Sequence, residues 1–275
     1  MPESLPYELH EPVLTIDKVC ISYDGVQILK DVSAEIKKIV RPDKKQGQVV
    51  GLLGPSGVGK TTLFCIMAGL IKPDSGEVLI GDGQPLKRGS VGVVAQNYPL
   101  FSHRTVLGNL LVGGRQAGLS HQDALAKSTE LLKRFDMEDC ARKYPVQLSG
   151  GQRQRIAIGQ QFMCSEHFIL MDEPFSGLDL VAVSRVSDFI TEVAESDDLK
   201  TFILVTHDVA AAIEVCDTIW LLGRDRDSEG KVIPGARIQA SYNLIERGLA
   251  WHKDVAATPE FLALLKEIRD IFPRL

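Results

Sequence analysis

The chain has 275 residues, 44% hydrophobic and 24% charged, with a formal net charge of -5. That is enough apolar material for one large or two small folding units, and it excludes wholesale disorder. The acidic balance argues against non-specific binding to nucleic acid, so no nucleic-acid partner is expected. No apolar run approaches the roughly 20 residues needed to cross a bilayer, and residues 1–10 lack the basic start and apolar segment of a secretory signal. Cys20, Cys65, Cys140, Cys164 and Cys216 lie far apart with no Cys-x-x-Cys pair. They read as reduced, mostly buried thiols rather than a metal or disulfide framework.

Residues 13–23 alternate apolar and polar positions and predict a strand, and 32–39 predict a second. A basic, turn-forming stretch with Lys37, Lys38, Arg41, Lys44 and Lys45 follows and reads as a solvated loop. Residues 48–53 form an apolar, β-branched strand that runs into a glycine-rich loop. A helix is predicted over 62–69, with Leu63, Ile66 and Met67 on one face and Gly69 as a stop. Pro73-Asp74-Ser75-Gly76 is a turn, and 78–80 and 91–94 are short strands. From 97 to about 165 the apolar residues fall at helical spacing (Leu107, Leu110, Leu111; Leu125, Leu131, Leu132, Phe135), which predicts a helical insert. Residues 168–171 and 202–205 are wholly apolar strands of the buried, parallel type, with a helix over 181–196 between them. Another strand covers 218–222. Beyond Gly223 come Arg224, Asp225, Arg226 and Asp227, then an amphipathic helix near 259–271. Strands alternating with helices predict an α/β sheet, and such sheets bind ligands at strand carboxyl ends.

Gly54-Pro55-Ser56-Gly57-Val58-Gly59-Lys60-Thr61 fits the phosphate-cradling pattern G-x-x-x-x-G-K-[ST]. Glycines let successive backbone N–H groups turn toward an anion, and the helix that follows adds its positive end. Lys60 is placed to reach the β- and γ-phosphates, and the Thr61 hydroxyl to bind Mg²⁺. Downstream, an apolar strand ends in Asp172-Glu173-Pro174. Asp172 would anchor Mg²⁺, and Glu173 would orient or deprotonate an attacking water.

Together with Leu148-Ser149-Gly150-Gly151-Gln152, these motifs make the chain resemble the nucleotide-binding subunit of an ATP-binding cassette (ABC) transporter, over roughly residues 14–222. The resemblance implies a P-loop NTPase core with a mixed, mostly parallel sheet, an N-terminal antiparallel β part and a helical insert. The implied division is a core at 12–96 and 166–223, a helical subdomain at 97–165, and a short C-terminal extension at 224–275. Tyr23 matches the aromatic residue that stacks on adenine, and Gly54 to Thr62 match the phosphate loop. Gln96 matches the lid glutamine that contacts Mg²⁺ and the nucleophilic water. Ser149, Gly150, Gly151 and Gln152 match the signature, which grips the γ-phosphate of ATP held by another subunit. Asp172 and Glu173 match the Mg²⁺ aspartate and catalytic glutamate, and His207 the switch histidine near the γ-phosphate. Ser176-Gly177-Leu178-Asp179 resembles the loop that communicates between paired subunits.

One phosphate loop and one signature per chain imply head-to-tail pairing with a second copy or a homologous ATPase subunit. The implied partners also include transmembrane permease subunits, docked on the helical insert beside Asn97-Tyr98-Pro99-Leu100-Phe101, and the implied location is the cytoplasmic face of the inner or plasma membrane. A fainter resemblance, through Leu249-Ala250-Trp251 and Phe272-Pro273, is to the nitrate, sulfonate and taurine importers. Lipid or lipoprotein export is the alternative, and a soluble cassette acting in DNA repair or translation is a third reading. Two features depart from the pattern: Gln160 stands where arginine is usual, and the stretch 37–46 is longer than the usual link.

Overall fold

The computed structural model describes residues 7–41, 47–81, 83–87, 89–165, 168–177, 180–195, 201–252 and 254–275. The strands are β1 (Glu8–Tyr23), β2 (Val26–Val40), β3 (Gln48–Leu53), β4 (Ser75–Ile80), β5 (Gln84–Pro85), β6 (Val91–Val94), β7 (Phe168–Asp172), β8 (Thr201–Thr206), β9 (Thr218–Arg226) and β10 (Val232–Asn243). The helices are α1 (Lys60–Met67), α2 (Val106–Gln116), α3 (His121–Arg134), α4 (Gly150–Cys164), α5 (Leu180–Glu195), α6 (Val209–Val215) and α7 (Pro259–Ile271). The strands join one sheet in the order β5-β4-β1-β2-β10-β9-β3-β8-β7-β6. From β9 to β6 every pairing is parallel; β1 pairs antiparallel with both β2 and β4. The mixed, mostly parallel sheet with an antiparallel N-terminal part is thus present.

The central strands are apolar between their end residues because both faces are covered. In β3, Val49 and Leu53 enter the core beneath the helices, whereas Val50 and Leu52 enter the core shared with β1, β2 and α1. Phe202 and Leu204 of β8 face the first core and Ile203 and Val205 the second, the period of two that a pleated strand imposes.

Three parts of the fold differ from the sequence-based expectation. The second strand starts at Val26 rather than 32, because Asp24 (φ 50°) and Gly25 (φ 78°) make a two-residue hairpin loop between Tyr23 and Val26. Positive φ at both loop positions is the geometry that suits Asp-Gly. Beyond Gly223 the charged residues Arg224 and Asp225 continue β9, and β10 folds back along it. Strand β10 also bridges β9 to β2, since Ala236 pairs with Leu29. Of the basic stretch, β2 takes residues up to Val40, and 42–46 lie outside the described residues.

The insert holds α2, α3 and α4. Gln160, the departure noted above, is buried, and its Nε2 donates to the Asn109 carbonyl of α2 at 3.1 Å. The two helices meet where α2 has no side chain: a Cβ on Gly113 would lie 2.4 Å from the Gln160 carbonyl oxygen and 2.9 Å from Met163 Cβ. Gly113→Ala is therefore expected to destabilise the protein by about 1–3 kcal/mol, the usual cost of overpacking, measured by urea denaturation. An unchanged midpoint would show that α2 and α4 separate freely.

Candidate functional site

Strands β3, β7 and β8 end side by side. Leu53 pairs with Thr206 and Asp172 with Val205, so the loops that follow leave the sheet together. The glycine loop leaves β3 under tight constraint. A Cβ on Gly54 would lie 2.5 Å from the Leu222 carbonyl of β9. Gly59 has φ 117°, and its Cβ would lie 3.0 Å from Leu29 and 3.2 Å from Ile28 of β2. Helix α1 starts at Lys60 with no side-chain cap, so the first-turn N–H groups are left to the loop side. Lys60 is buried, and its Nζ donates to the carbonyls of Gly54 (2.8 Å) and Pro55 (3.1 Å). Burial pushes the ammonium pKa down, and the charges of Glu173 and Asp172 push it back.

Asp172 ends β7. Burial first, then the Glu173 charge, raises its carboxyl pKa, against the opposing pull of Lys60. Glu173 has a left-handed backbone (φ 49°), and its N–H donates to the Val205 carbonyl at 2.8 Å, which prolongs the ladder by one bond. Its carboxylate oxygens both lie 2.9 Å from His207 Nδ1, and Thr206 Oγ1 donates to Oε2 at 3.3 Å. A carboxylate only accepts, so Nδ1 carries the hydrogen and Nε2 is left for another partner. The structure thus brings Glu173 and His207 into direct contact, a pairing that sequence reading assigned only to a shared neighbourhood.

Gln96 follows β6, and its Nε2 donates to Ser176 Oγ at 3.1 Å, leaving its amide oxygen free of that bond. Thr61, Gln96 and Asp172 offer hydroxyl, amide and carboxylate oxygens, a hard-oxygen set whose chemistry fits Mg²⁺. Tyr23 sits at the tip of the β1–β2 hairpin, 44% exposed, on the strand pair whose Ile28 and Leu29 back the glycine loop. The signature lies apart from these groups, at the start of α4. Ser149 Oγ accepts from Gln152 N (3.3 Å) and Gln152 Oε1 accepts from Ser149 N (3.0 Å), a reciprocal cap. Gly150 and Gly151 face open space. Among the described residues no hydrogen bond joins this tip to the glycine loop. Leu178 and Asp179, expected to communicate between subunits, lie outside the described residues.

Sequence reading missed two supports. Arg224 on β9 donates from Nη2 to the Gly57 carbonyl at 2.8 Å and braces the glycine loop from outside. Only the fold reveals this, since 167 positions separate the two. Asn109 is fully buried; its Oδ1 accepts from Phe101 N (2.7 Å), and its Nδ2 donates to the carbonyls of Phe101 (3.2 Å) and Thr105 (3.0 Å). It fixes one wall of a groove of about 390 Å³ lined by Pro99, Leu100, Phe101, Val112, Gln160 and Cys164 among others. No local sequence signal marks Asn109, which falls off the face set by Leu107, Leu110 and Leu111 at helical spacing.

The sequence pattern of the family described as "ABC transporter" matches residues 38–176. The chain is 37% identical over 227 residues to the spermidine/putrescine import ATP-binding protein PotA of Thermotoga maritima, covering 80% of this chain and 57% of that protein. It is 34% identical over 217 residues to the sulfate/thiosulfate import ATP-binding protein CysA of Mesostigma viride, covering 78% of this chain and 60% of that protein. The chain thus spans about three fifths of the length of these relatives. Among solved structures, cbiO1 from Clostridium perfringens, part of the ABC transporter complex cbiONQ, superposes with a TM-score of 0.73 at 27% identity, covering 97% of this chain and 96% of that one.

Removing the external brace should loosen the cradle without touching the reacting groups. Arg224→Ala is expected to weaken ATP binding about three- to tenfold, the value of one ordinary solvent-exposed hydrogen bond, by titration calorimetry. Equal affinity would mean that Gly57 holds its orientation unaided.

Proposed function

This chain belongs to the ABC transporter family, and from that premise we propose that it is an ATP-hydrolysing subunit that energises a membrane transporter. The observation that carries the reading is the meeting of Lys60, Asp172 and the Glu173–His207 pair where β3, β7 and β8 end.

In this reading the backbone N–H groups from Gly57 to Thr62, with Lys60 Nζ, hold the β- and γ-phosphates of ATP, and Tyr23 stacks on the adenine. Thr61, Gln96 and Asp172 hold Mg²⁺, which when bound offsets phosphate charge. Glu173 accepts the proton of a water that attacks the γ-phosphorus; the bond to the bridging oxygen breaks, giving ADP and phosphate. Thr206 and His207 keep the carboxylate aimed, and His207 Nε2 faces the departing phosphoryl group. The open tip Ser149-Gly150-Gly151, with Gln152, grips the ATP of a second copy or a homologous subunit, so two chains pair head to tail. Its uncovered glycines support this role, since nothing among the described residues crowds them.

The groove beside Phe101 takes a short segment of a transmembrane permease subunit. Phe101 is 44% exposed there, an apolar ring on a rigidly held loop. Among the described residues no helix is long and apolar enough to cross a membrane. In the proposed assembly the permease partners span the membrane, and the chain works from its cytoplasmic face through them. The relatives' names are those of importers, which favours import over lipid or lipoprotein release. Those names cover cationic polyamines and anionic sulfate alike, so kinship of the cassette does not fix the charge of its cargo. A nitrate, sulfonate or taurine cargo rests on the tail resemblance alone.

Glu173→Gln is expected to keep ATP affinity, to lower hydrolysis by at least about a hundredfold and to trap the ATP-bound dimer, seen by phosphate release and size-exclusion chromatography. Undiminished hydrolysis would remove Glu173 as the base. Lys60→Ala should weaken ATP binding by about tenfold or more; unchanged calorimetric affinity would count against the cradle.

A further inference from the structure

The carbonyl oxygen of Pro174, one residue past Glu173, accepts two side-chain hydrogen bonds. Tyr98 Oη donates at 2.9 Å from the loop after β6, and Gln154 Nε2 donates at 3.1 Å from α4. The three residues come from three separate parts of the chain: the loop that lines the groove, the helix that carries the signature tip, and the end of β7. No motif considered in the sequence assigns a role to Tyr98's hydroxyl or to Gln154.

The position of that carbonyl gives the two bonds their meaning. Ser176 N donates to the Glu173 carbonyl at 3.1 Å, so residues 173–176 form a β-turn with Pro174 second and Phe175 third. The peptide between the second and third residues is the one that flips between type I and type II turns. Type II needs positive φ at the third position, and Phe175 does not have it. Two donors on Pro174 O therefore hold the turn in one of its two states. The turn starts at Glu173, whose own backbone sits in the left-handed region (φ 49°), a conformation that surrounding bonds must enforce in a residue with a side chain. Tyr98 is left-handed as well, at φ 45°. Burial pushes the Tyr98 phenol up to about 12, so it remains a neutral donor.

Gln154 adds an independent sign. It is 1% exposed, and its Oε1 has no hydrogen-bond partner among the described residues. A leucine would fill such a site without an orphaned acceptor, so the amide is there for its donor.

We infer that Tyr98 and Gln154 are positioning residues for hydrolysis, acting together through the Pro174 carbonyl to hold Glu173 in its productive backbone conformation. This rests on Glu173 being the base. It makes the turn the junction where movement at the groove, through Tyr98, and at the signature helix, through Gln154, reaches the reacting water.

The test uses the purified full chain with ATP and Mg²⁺. Tyr98→Phe and Gln154→Leu are each expected to lower kcat about three- to tenfold, the worth of one hydrogen bond, with KM and ATP affinity within about twofold. Because each single variant keeps one donor, the double variant should lose more than the product of the two. Gln154→Leu should unfold at the same or a higher temperature, since it removes an orphaned acceptor; a merely structural role would lower it. The inference is overturned if kcat stays near wild type in all three variants. It is equally overturned if Gln154→Leu loses stability and raises KM in step with its loss of rate. Glu173→Gln run in parallel separates the two levels. If that variant is silent while the others turn over normally, only the clamp falls. If it hydrolyses like wild type, the assignment of the base falls and the clamp with it.

Discussion

The register of three parallel strands governs this molecule. Leu53 stands beside Thr206, and Asp172 beside Val205, so the glycine loop, Glu173 and His207 emerge from one edge of the sheet at matching heights. A slip of one residue would exchange the two faces of a strand. Polarity cannot forbid such a slip here, because both faces are apolar. Size and shape must do it: Phe202 and Leu204 fit under the helices, whereas Ile203 and Val205 fit against β1, β2 and α1. Core packing therefore fixes the register that brings the Glu173 carboxylate within 2.9 Å of His207.

How much of this was legible in the sequence depends on how local each feature is. The phosphate loop was legible because its chemistry is contiguous: glycines, a lysine and a threonine in a fixed order. The central strands were legible because burial on both faces writes unbroken apolar runs. The hairpin at Asp24-Gly25 was missed although its turn signal is local, because Leu29 to Val32 mixes Lys30 and Asp31 into the strand. Those charges sit at exposed positions. Strand β10 was missed for a related reason. It carries Pro234 and Gly235, residues that discourage strand assignment, yet it has a place because β2 and β9 leave a gap between them. Arg224 was read only as the start of a charged C-terminal extension, and nothing short of the fold places its guanidinium on Gly57.

The insert shows the same logic applied to polar groups. Asn109 and Gln160 are two of the buried polar residues in a mainly apolar helical layer. Each buried amide costs free energy unless its bonds are made, and here they are made to backbone groups of α2 and of the segment before it. Asn109 satisfies Phe101 and Thr105, and Gln160 satisfies the Asn109 carbonyl. On the other side of α4, Gln161 Oε1 accepts from Val93 N at 3.1 Å and covers the edge strand β6. An arginine in place of Gln160 would bring a charge into this buried contact. The glutamine lets α2 and α4 close to the distance that Gly113 permits.

Strain and support are distributed unevenly across the site. The glycine loop adopts its left-handed turns with glycine, which removes most of their cost. Glu173 and Tyr98 have no such relief, and each carries about 1–3 kcal/mol of backbone strain that neighbouring bonds must offset. A static cradle needs only pre-set geometry, so glycine serves it. A base that is to be engaged and released gains from being held by separable contacts, because breaking one of them lets a strained backbone relax. The strained residues stand where the groove loop, the signature helix and the end of β7 meet, which is where a moving part has most use for stored strain.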